Sequence, residues 1–370
     1  MRTNGSGPIV WAAIIGVTCL LLAVFQRMLW LVVPFLLALI LYYVLYPAMQ
    51  QLVYRGLSRN AAAAATIVGF LIGLAAALAF VMPWAATYMV DLEATVVAYL
   101  EGGLRLMQQS LVALEHRWSM LAEARVAETA VQNLRGAAGG VAGHIEPVAM
   151  GIAAWTPSLL LVPFLAYFFL KDGGRFQRFL ARAVPNAFFE RTLYLLHEVD
   201  QTLRAYFLGL MKLTMLDTVT LAAGLWLLGF PGALALGAIC AVLAWIPYVG
   251  SIAGGLLVVL VAATDFPDAP QMAYWAVGLF VAARLLDDFV YMPLTVGKSL
   301  HMHPLVTVVM IFVGGAVAGI SGLMLVLPVL GVVMVCGETI GRIVTDPRLV
   351  ARFRHATALR RRQASADLTA

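Results

Sequence analysis

Three charged residues close an otherwise apolar run of the sequence. Arg284, Asp287 and Asp288 follow the uncharged stretch 272–283 and come shortly before Pro293. On one helix the arginine reaches both acids, because residues at i+3 and i+4 share a face. One guanidinium compensates one carboxylate, so the other acid needs a second partner. The pattern predicts a carboxylate that binds a cation or proton or orients a polar substrate; an ion-paired anchor at a membrane interface is the alternative.

A second isolated acid lies in another apolar run, 206–230. Asp217 is flanked by Leu216 and Thr218, and such an acid inside a membrane segment indicates a functional site. Lys212 lies five residues earlier, a spacing that does not place the two side chains on one helix face. We interpret Lys212 as a supporting residue that extends its amine towards the membrane surface.

The composition excludes an ordinary water-soluble domain. Hydrophobic residues make up 62% of the 370 residues, charged residues make up 12%, and the mean hydropathy is +0.92. The net charge of +5 does not indicate nucleic-acid binding, because the basic residues lie between apolar segments and in the C-terminal tail. Catalytic motifs are absent, and Cys19, Cys240 and Cys336 lie far apart. We therefore predict a protein that is not an enzyme, with no cofactor, no metal and no nucleic-acid partner.

Long apolar segments predict an all-α polytopic membrane protein with about eight membrane segments. The candidate segments are 9–25, 28–46, 61–82, 148–170, 206–230, 232–264, 272–292 and 304–340. Lysine and arginine are concentrated in 171–205 and in the tail, which predicts cytoplasmic termini and an extracytoplasmic, acid-rich 83–147. The predicted divisions are N-terminal spans 1–82, an extracytoplasmic amphipathic segment 83–147, a span with a basic connector 148–205, a transport core 206–341 and a basic tail 342–370.

Two local patterns concern helices outside that core. Heptad spacing predicts an amphipathic helix in 83–147, interrupted by Gly102 and Gly103; its apolar positions are Val97, Leu100, Leu104, Met107, Leu111, Leu114, Trp118 and Leu121. This helix either contacts another subunit or lies on the bilayer or on its own subunit. Gly173 and Gly174 predict that the helix of the span 148–170 ends at the membrane edge.

Two apolar segments are too long for one helix and are broken in the middle. The segment 232–264 is broken at 246–251, around Pro247 and Gly250, and 304–340 is broken at the glycine-rich 314–322. Each follows a single span, 206–230 and 272–292, and the predicted orientations make the second unit an inverted copy of the first. Paired broken segments of this kind indicate the central site of a transporter built from re-entrant hairpins. Two ordinary helix pairs with full crossings are the alternative.

The stretches 167–176, 226–255 and 292–333 resemble the autoinducer-2 exporter family of bacterial membrane proteins. The matched positions are Pro247, Gly250, Pro293, Gly297, Lys298, His303, Pro304, Gly314, Gly315, Gly319 and Gly322. The resemblance implies an eight-segment fold, a bacterial inner-membrane location and export of a small solute such as autoinducer-2, with sodium–proton antiport in some members. It also implies a homo-oligomer, namely a pentamer, and an elevator-like motion.

The residues and the resemblance together predict a secondary-active transporter in the lipid bilayer. A sodium or lithium/proton antiporter and a non-transporting scaffold are the two alternatives. The predicted substrate or ion site comprises Asp217, Pro247, Tyr248, Gly250, Ser251, Arg284, Asp287, Asp288, Gly315, Gly319, Ser321 and Gly322. The predicted supporting residues are Lys212, Pro293, Lys298, His303 and Pro304.

Overall fold

The computed structural model describes residues 8–89, 92–117, 126–142, 150–151, 155–182, 184, 189–295 and 304–345. Throughout these ranges the regular elements are helices, and no strand occurs in them. The longer helices are α1 (Pro8–Arg27), α2 (Leu29–Tyr54), α3 (Arg59–Met89), α4 (Leu92–Arg117), α5 (Val126–Ala142), α6 (Thr156–Arg182), α7 (Phe189–Leu227), α8 (Ala233–Leu243), α9 (Val249–Asp265) and α10 (Gln271–Leu286). A π-helical turn (Asp287–Tyr291), the short α11 (Met292–Thr295) and α12 (Pro304–Thr345) complete the order.

Several of these helices have the length and composition of membrane spans. Four of them are long and apolar enough to cross a bilayer, in α2, α3, α7 and α12, and three shorter apolar helices lie in α1, α8 and α9. Large apolar side chains on these helices are exposed, for example Ile72, Trp226 and Phe312. So many exposed apolar side chains match a surface in contact with lipid tails. The predicted all-α membrane protein is confirmed; the number of membrane segments and the inverted hairpins stay predictions.

The chain forms two compact units, and the predicted divisions stay a prediction. The first unit comprises 1–64, 162–209 and 299–370, and the second comprises 65–161 and 210–298. The broken segment 232–264 belongs to the second unit and the broken segment 304–340 to the first. The predicted transport core, 206–341, is therefore divided between the two units.

In the first unit, polar contacts join α2 to α7 and the start of α3 to α6. The Tyr43 hydroxyl is buried and donates to Asp200 Oδ1 at 2.9 Å. The guanidinium of Arg204 lies over the Tyr46 ring, 5.4 Å from its centroid. The Nε of Arg59 donates to the Leu170 carbonyl oxygen at 3.1 Å. These contacts give partly buried polar groups of the first unit their partners.

The first unit also contains the break in α12 and its packing against α1. Ala318 and Gly319 leave the helical region, with Gly319 at φ 59° and ψ −140°, so the break lies inside the predicted 314–322. An added Cβ at Gly314 would lie 2.9 Å from the carbonyl oxygen of Gly322, so the two arms approach closely. Beyond the break, Gly337 packs against Ile14 of α1.

The predicted helix end at Gly173 and Gly174 is wrong. Helix α6 continues through both glycines to Arg182. Neither glycine has the positive φ that a glycine at a helix C-terminus adopts. A glycine inside a helix is unfavourable by about 1 kcal/mol, and the good helix formers around this pair, such as Lys171 and Arg175, continue the helix.

In the second unit, α4 packs on α9 through the two glycines that interrupt the heptad pattern. Positions 102 and 103 face Thr264 and Leu260 of α9, and the Thr264 hydroxyl lies 3.4 Å from the Ala98 carbonyl oxygen. The described part of the 83–147 segment thus includes a helix that lies on its own subunit, one of the predicted alternatives. The predicted positions Trp118 and Leu121 lie outside the described residues.

The α4–α9 contact predicts a specific loss of stability. Gly102→Ala is expected to lower the free energy of unfolding by about 1–3 kcal/mol, because the new methyl group overlaps Thr264. Gly136→Ala in α5 is the matched control, since its Cβ meets nothing within 4 Å, and it should raise stability by up to about 1 kcal/mol. Thermal unfolding in detergent measures both, and equal effects would contradict the contact.

Candidate functional site

The turn between α8 and α9 is tight and strained. The Val249 N–H donates to the Pro247 carbonyl oxygen at 2.7 Å, which makes a γ-turn centred on Tyr248. Tyr248 has φ 62° and ψ −54°, a conformation that is unfavourable for a residue with a side chain. Gly250 allows the closure, because a Cβ there would overlap the Leu243 carbonyl oxygen. The predicted break at 246–251 is therefore the point where the helix reverses.

Two contacts fasten this turn to α7. The Trp245 indole N–H donates to Thr214 Oγ1 at 2.8 Å. At Gly237 of α8, an added Cβ would lie 2.8 Å from the Ala222 backbone nitrogen, so the two helix backbones meet closely. These contacts fix α8 and the turn against the part of α7 that carries Asp217.

A π-helical turn follows α10 and begins with the two neighbouring aspartates. It spans Asp287–Tyr291, and the Met292 N–H donates to the Asp287 carbonyl oxygen. Pro293 lies two residues beyond and supplies no N–H, so the regular helical hydrogen bond to the Phe289 carbonyl oxygen is lost. Such turns often occur at functional sites. Asp287 is 3% exposed, whereas the side chain of Asp288 is 54% exposed.

The buried aspartate lies in a pocket of the second unit. The lining residues are Asp217, Leu221, Cys240, Ala241, Ala244, Ser251, Phe280, Ala283, Arg284 and Asp287. Arg284 Nη2 lies 2.6 Å from Asp287 Oδ2 and 3.5 Å from Asp288 Oδ1. The other carboxylate oxygen of Asp287, Oδ1, is buried and has no hydrogen-bond partner among the described residues.

The pocket holds more carboxylate than one arginine compensates. Asp217 is 6% exposed and interacts electrostatically with Asp287, Arg284 and Asp288. Two buried carboxylates and one guanidinium therefore line the same pocket. The pocket has room for roughly one water-sized species. A proton or a small monovalent cation fits both this space and the charge.

The oxygen atoms available suit a hard cation better than a transition metal. Two carboxylates and the Ser251 hydroxyl line the pocket, and oxygen ligands are those that hard cations prefer. No group of three or more His, Cys, Asp or Glu residues is placed for metal binding within the described ranges.

The structure brings together part of the predicted site. Asp217, Ser251, Arg284 and Asp287 line the pocket, and Asp288 pairs with Arg284 at its edge. Pro247, Tyr248 and Gly250 form the adjoining turn, and Pro293 follows the π-helical turn. The remaining described residues lie elsewhere: Gly315, Gly319, Ser321 and Gly322 are in α12 of the first unit, where Pro304 begins that helix, and Lys212 is exposed on α7. Lys298, His303 and Gly297 lie outside the described residues.

Sequence reasoning did not identify three residues of this region. Cys240 was noted only for its distance from the other two cysteines; it lines the pocket, and its thiol lies 3.5 Å from the Gly254 carbonyl oxygen. Trp245 and Thr214, which fasten the turn, were not singled out. The position of Trp245 beside the broken segment was an available signal, whereas nothing local marks Thr214.

Comparisons with known proteins agree with a transporter. The sequence profile described as "AI-2E family transporter" matches residues 10–341. The relatives include "Putative transport protein YrrI" of Bacillus subtilis, 26% identical over 348 residues that cover 88% of this chain and 94% of that protein. "Putative transport protein MT0215" of Mycobacterium tuberculosis is 27% identical over 298 residues, 80% of each chain. "Putative transport protein YueF" of Bacillus subtilis is 33% identical over 175 residues, 47% of each chain.

The Arg284–Asp287 pair predicts a non-additive mutant cycle. Arg284→Gln is expected to lower the free energy of unfolding by about 3–5 kcal/mol, because it leaves a buried carboxylate without its partner. The double variant Arg284→Gln with Asp287→Asn should recover most of that loss. Chemical unfolding in detergent measures the cycle, and additive losses would contradict a buried pair. Asp288→Asn is the control, with an expected change of about 0–1 kcal/mol.

Proposed function

Because the chain belongs to the AI-2E transporter family, we propose that it is a secondary-active membrane transporter in which sodium or lithium and protons compete for the carboxylates of Asp217 and Asp287. The observation that carries this proposal is the buried Oδ1 of Asp287, which has no partner among the described residues and lies in a pocket with a surplus carboxylate. Membership of the AI-2E transporter family supports a transporter rather than an enzyme.

The charge of the pocket gives the ion a role in transport. An ionised aspartate at the centre of a bilayer is unfavourable by about 2.5–3.5 kcal/mol on insertion scales. Arg284 compensates one such charge, and a bound cation or proton would compensate the other. The second unit contains the whole pocket, so it can carry a neutralised site as one body. An elevator-like motion of that unit is part of the proposal.

A second candidate keeps the same ion site but adds an organic passenger. The resemblance to the autoinducer-2 exporter family supports a small polar solute as the cargo. The ion at Asp217 and Asp287 would then drive that export. The pocket has room for roughly one water-sized species, which favours the cation as the occupant of this site.

The remaining parts of the proposal concern the cell. A bacterial inner-membrane location, cytoplasmic termini and a homopentamer are supported by the distribution of lysine and arginine and by the family resemblance. A non-transporting scaffold is the competing hypothesis, and it requires no function for the surplus carboxylate. Loss of transport on changing one buried acid, without loss of folded protein, separates the two.

The proposal predicts cation-dependent collapse of a pH gradient in proteoliposomes. Sodium or lithium added to vesicles that hold the purified protein is expected to dissipate the gradient, measured by recovery of a pH-sensitive dye. Asp287→Asn and Asp217→Asn should each lower the rate by at least about tenfold, because one ion ligand is lost in each.

The matched control is Asp268→Asn, an exposed acid of the same unit that does not line the pocket. It should transport at the wild-type rate. Equal expression and equal elution volume in gel filtration would show that the pocket variants fold. If no cation collapses the gradient with wild-type protein, the antiport proposal fails, and counterflow of labelled organic solutes becomes the test of the second candidate.

A further inference from the structure

Helix α6 carries a line of basic residues that the proposed transport site does not use. Lys171, Arg175, Arg178 and Arg182 occur at i, i+4, i+7 and i+11, so they share one helix face. Arg175, Arg178 and Arg182 are exposed, and Lys171 is partly exposed. We call these four residues the basic stripe. The opposite face of α6 is buried in the first unit, through Ala166 and Leu170, each 0% exposed.

The same face of α6 is apolar one turn earlier. Phe164 and Phe168 precede Lys171 by seven and three residues, and both aromatic side chains are exposed. Lys171 Nζ lies 5.6 Å from the centroid of the Tyr167 ring and 5.9 Å from that of Phe168, so its stem runs along aromatic surface. One continuous surface therefore changes from apolar to basic along the helix. This is the order of environments from lipid tails to lipid headgroups.

Three of the four cations of the basic stripe have no acidic partner among the described residues. Asp172 is the only acid between 171 and 182, and it pairs with Arg175 at 3.2 Å. Among the described residues, Lys171, Arg178 and Arg182 form no salt bridge. The guanidinium of Arg59 lies near Gly174 and adds a further cation to this part of α6.

Exposed aromatic side chains flank the basic stripe. Phe176 and Phe179 are 60% and 69% exposed. Basic residues beside exposed aromatic ones are typical of helices that lie at the interface of a membrane with anionic lipids. A solvated cytoplasmic helix explains the cations but not the two exposed phenylalanines.

We propose that the basic stripe of α6 binds the headgroups of anionic phospholipids, with Phe176 and Phe179 inserted beside it. The occupant follows from charge complementarity and from the continuity of the stripe with the apolar face of Phe164 and Phe168. The lipid contact fixes the first unit at one membrane surface. This inference does not depend on the ion proposed for Asp217 and Asp287.

Electron spin resonance of nitroxide-labelled lipids tests the contact in vesicles that hold the full chain. The wild-type protein is expected to bind labelled phosphatidylglycerol about fivefold or more tightly than labelled phosphatidylcholine at low salt, and the preference should fall as salt rises. In the variant Lys171→Gln, Arg175→Gln, Arg178→Gln, Arg182→Gln the ratio of the two association constants should approach unity.

The matched control conserves the charges at the same four positions. Lys171→Arg, Arg175→Lys, Arg178→Lys and Arg182→Lys together should keep the preference for phosphatidylglycerol. An unchanged preference in the glutamine variant would overturn the proposal, as would loss of the preference in the charge-conserving variant. If the fourfold glutamine variant does not fold, the pair Arg175→Gln and Arg178→Gln, both exposed, should lower the preference at least threefold, and no change in that pair also overturns it.

Discussion

The site depends on the ion pair between Arg284 and Asp287, because a charge removed from water must be compensated within the protein. The pair is close, at 2.6 Å, and Asp287, the first residue of the π-helical turn after α10, is buried in the pocket. The guanidinium compensates one of the two buried carboxylates of the site and leaves the other uncompensated. A proton or cation that enters therefore neutralises the remaining charge of the pocket, and the charge returns when that ion leaves. In a medium of low dielectric constant that change alters the free energy of the site far more than it would in water.

Several local features are needed to build this charged pocket from short apolar helices. The π-helical turn before Pro293 carries the buried Asp287 and the exposed Asp288. On the other side, the γ-turn at Tyr248 and the absent side chain of Gly250 let α8 reverse into α9, which brings Ser251 to the pocket. Strained backbone of this kind persists where the surrounding packing holds it and is common at binding sites. The hydrogen bond from Trp245 to Thr214 supplies part of that packing.

The sequence predicted the parts of the site that have a local signal. An arginine three and four residues before two aspartates, in an apolar run, is visible without a structure, as are the breaks around Pro247 and Gly319. The meeting of Asp217 with Asp287 was not predictable in the same way, because the two lie 70 positions apart and no local pattern joins them. Local glycine rules were also insufficient. Gly102 and Gly103 provide a close contact rather than an interruption, and the pair in α6 does not end its helix.

The two compact units could likewise not be predicted from local sequence patterns. The predicted repeat places the two broken segments in one transport core, which stays a prediction; packing joins α12 to α1 and the first half of α7 in one compact unit. The repeat argument uses order along the chain, and the units are set by which apolar faces bury one another. The residues that line the ion pocket all lie in the second unit, whereas the predicted site residues of α12 lie in the first unit.

Cation binding by the pocket is tested by calorimetric titration of the purified protein with sodium, lithium and potassium chloride. The titrations are done in two buffers of different ionisation enthalpy. We expect saturable binding of sodium or lithium, with a heat that differs between the two buffers because protons are released. In Asp287→Asn we expect neither the saturable binding nor the difference in heat. An absence of saturable binding for all three cations in folded wild-type protein would contradict cation binding by the pocket. Binding that is unchanged in Asp287→Asn would place the ion elsewhere and would contradict the assignment of the pocket.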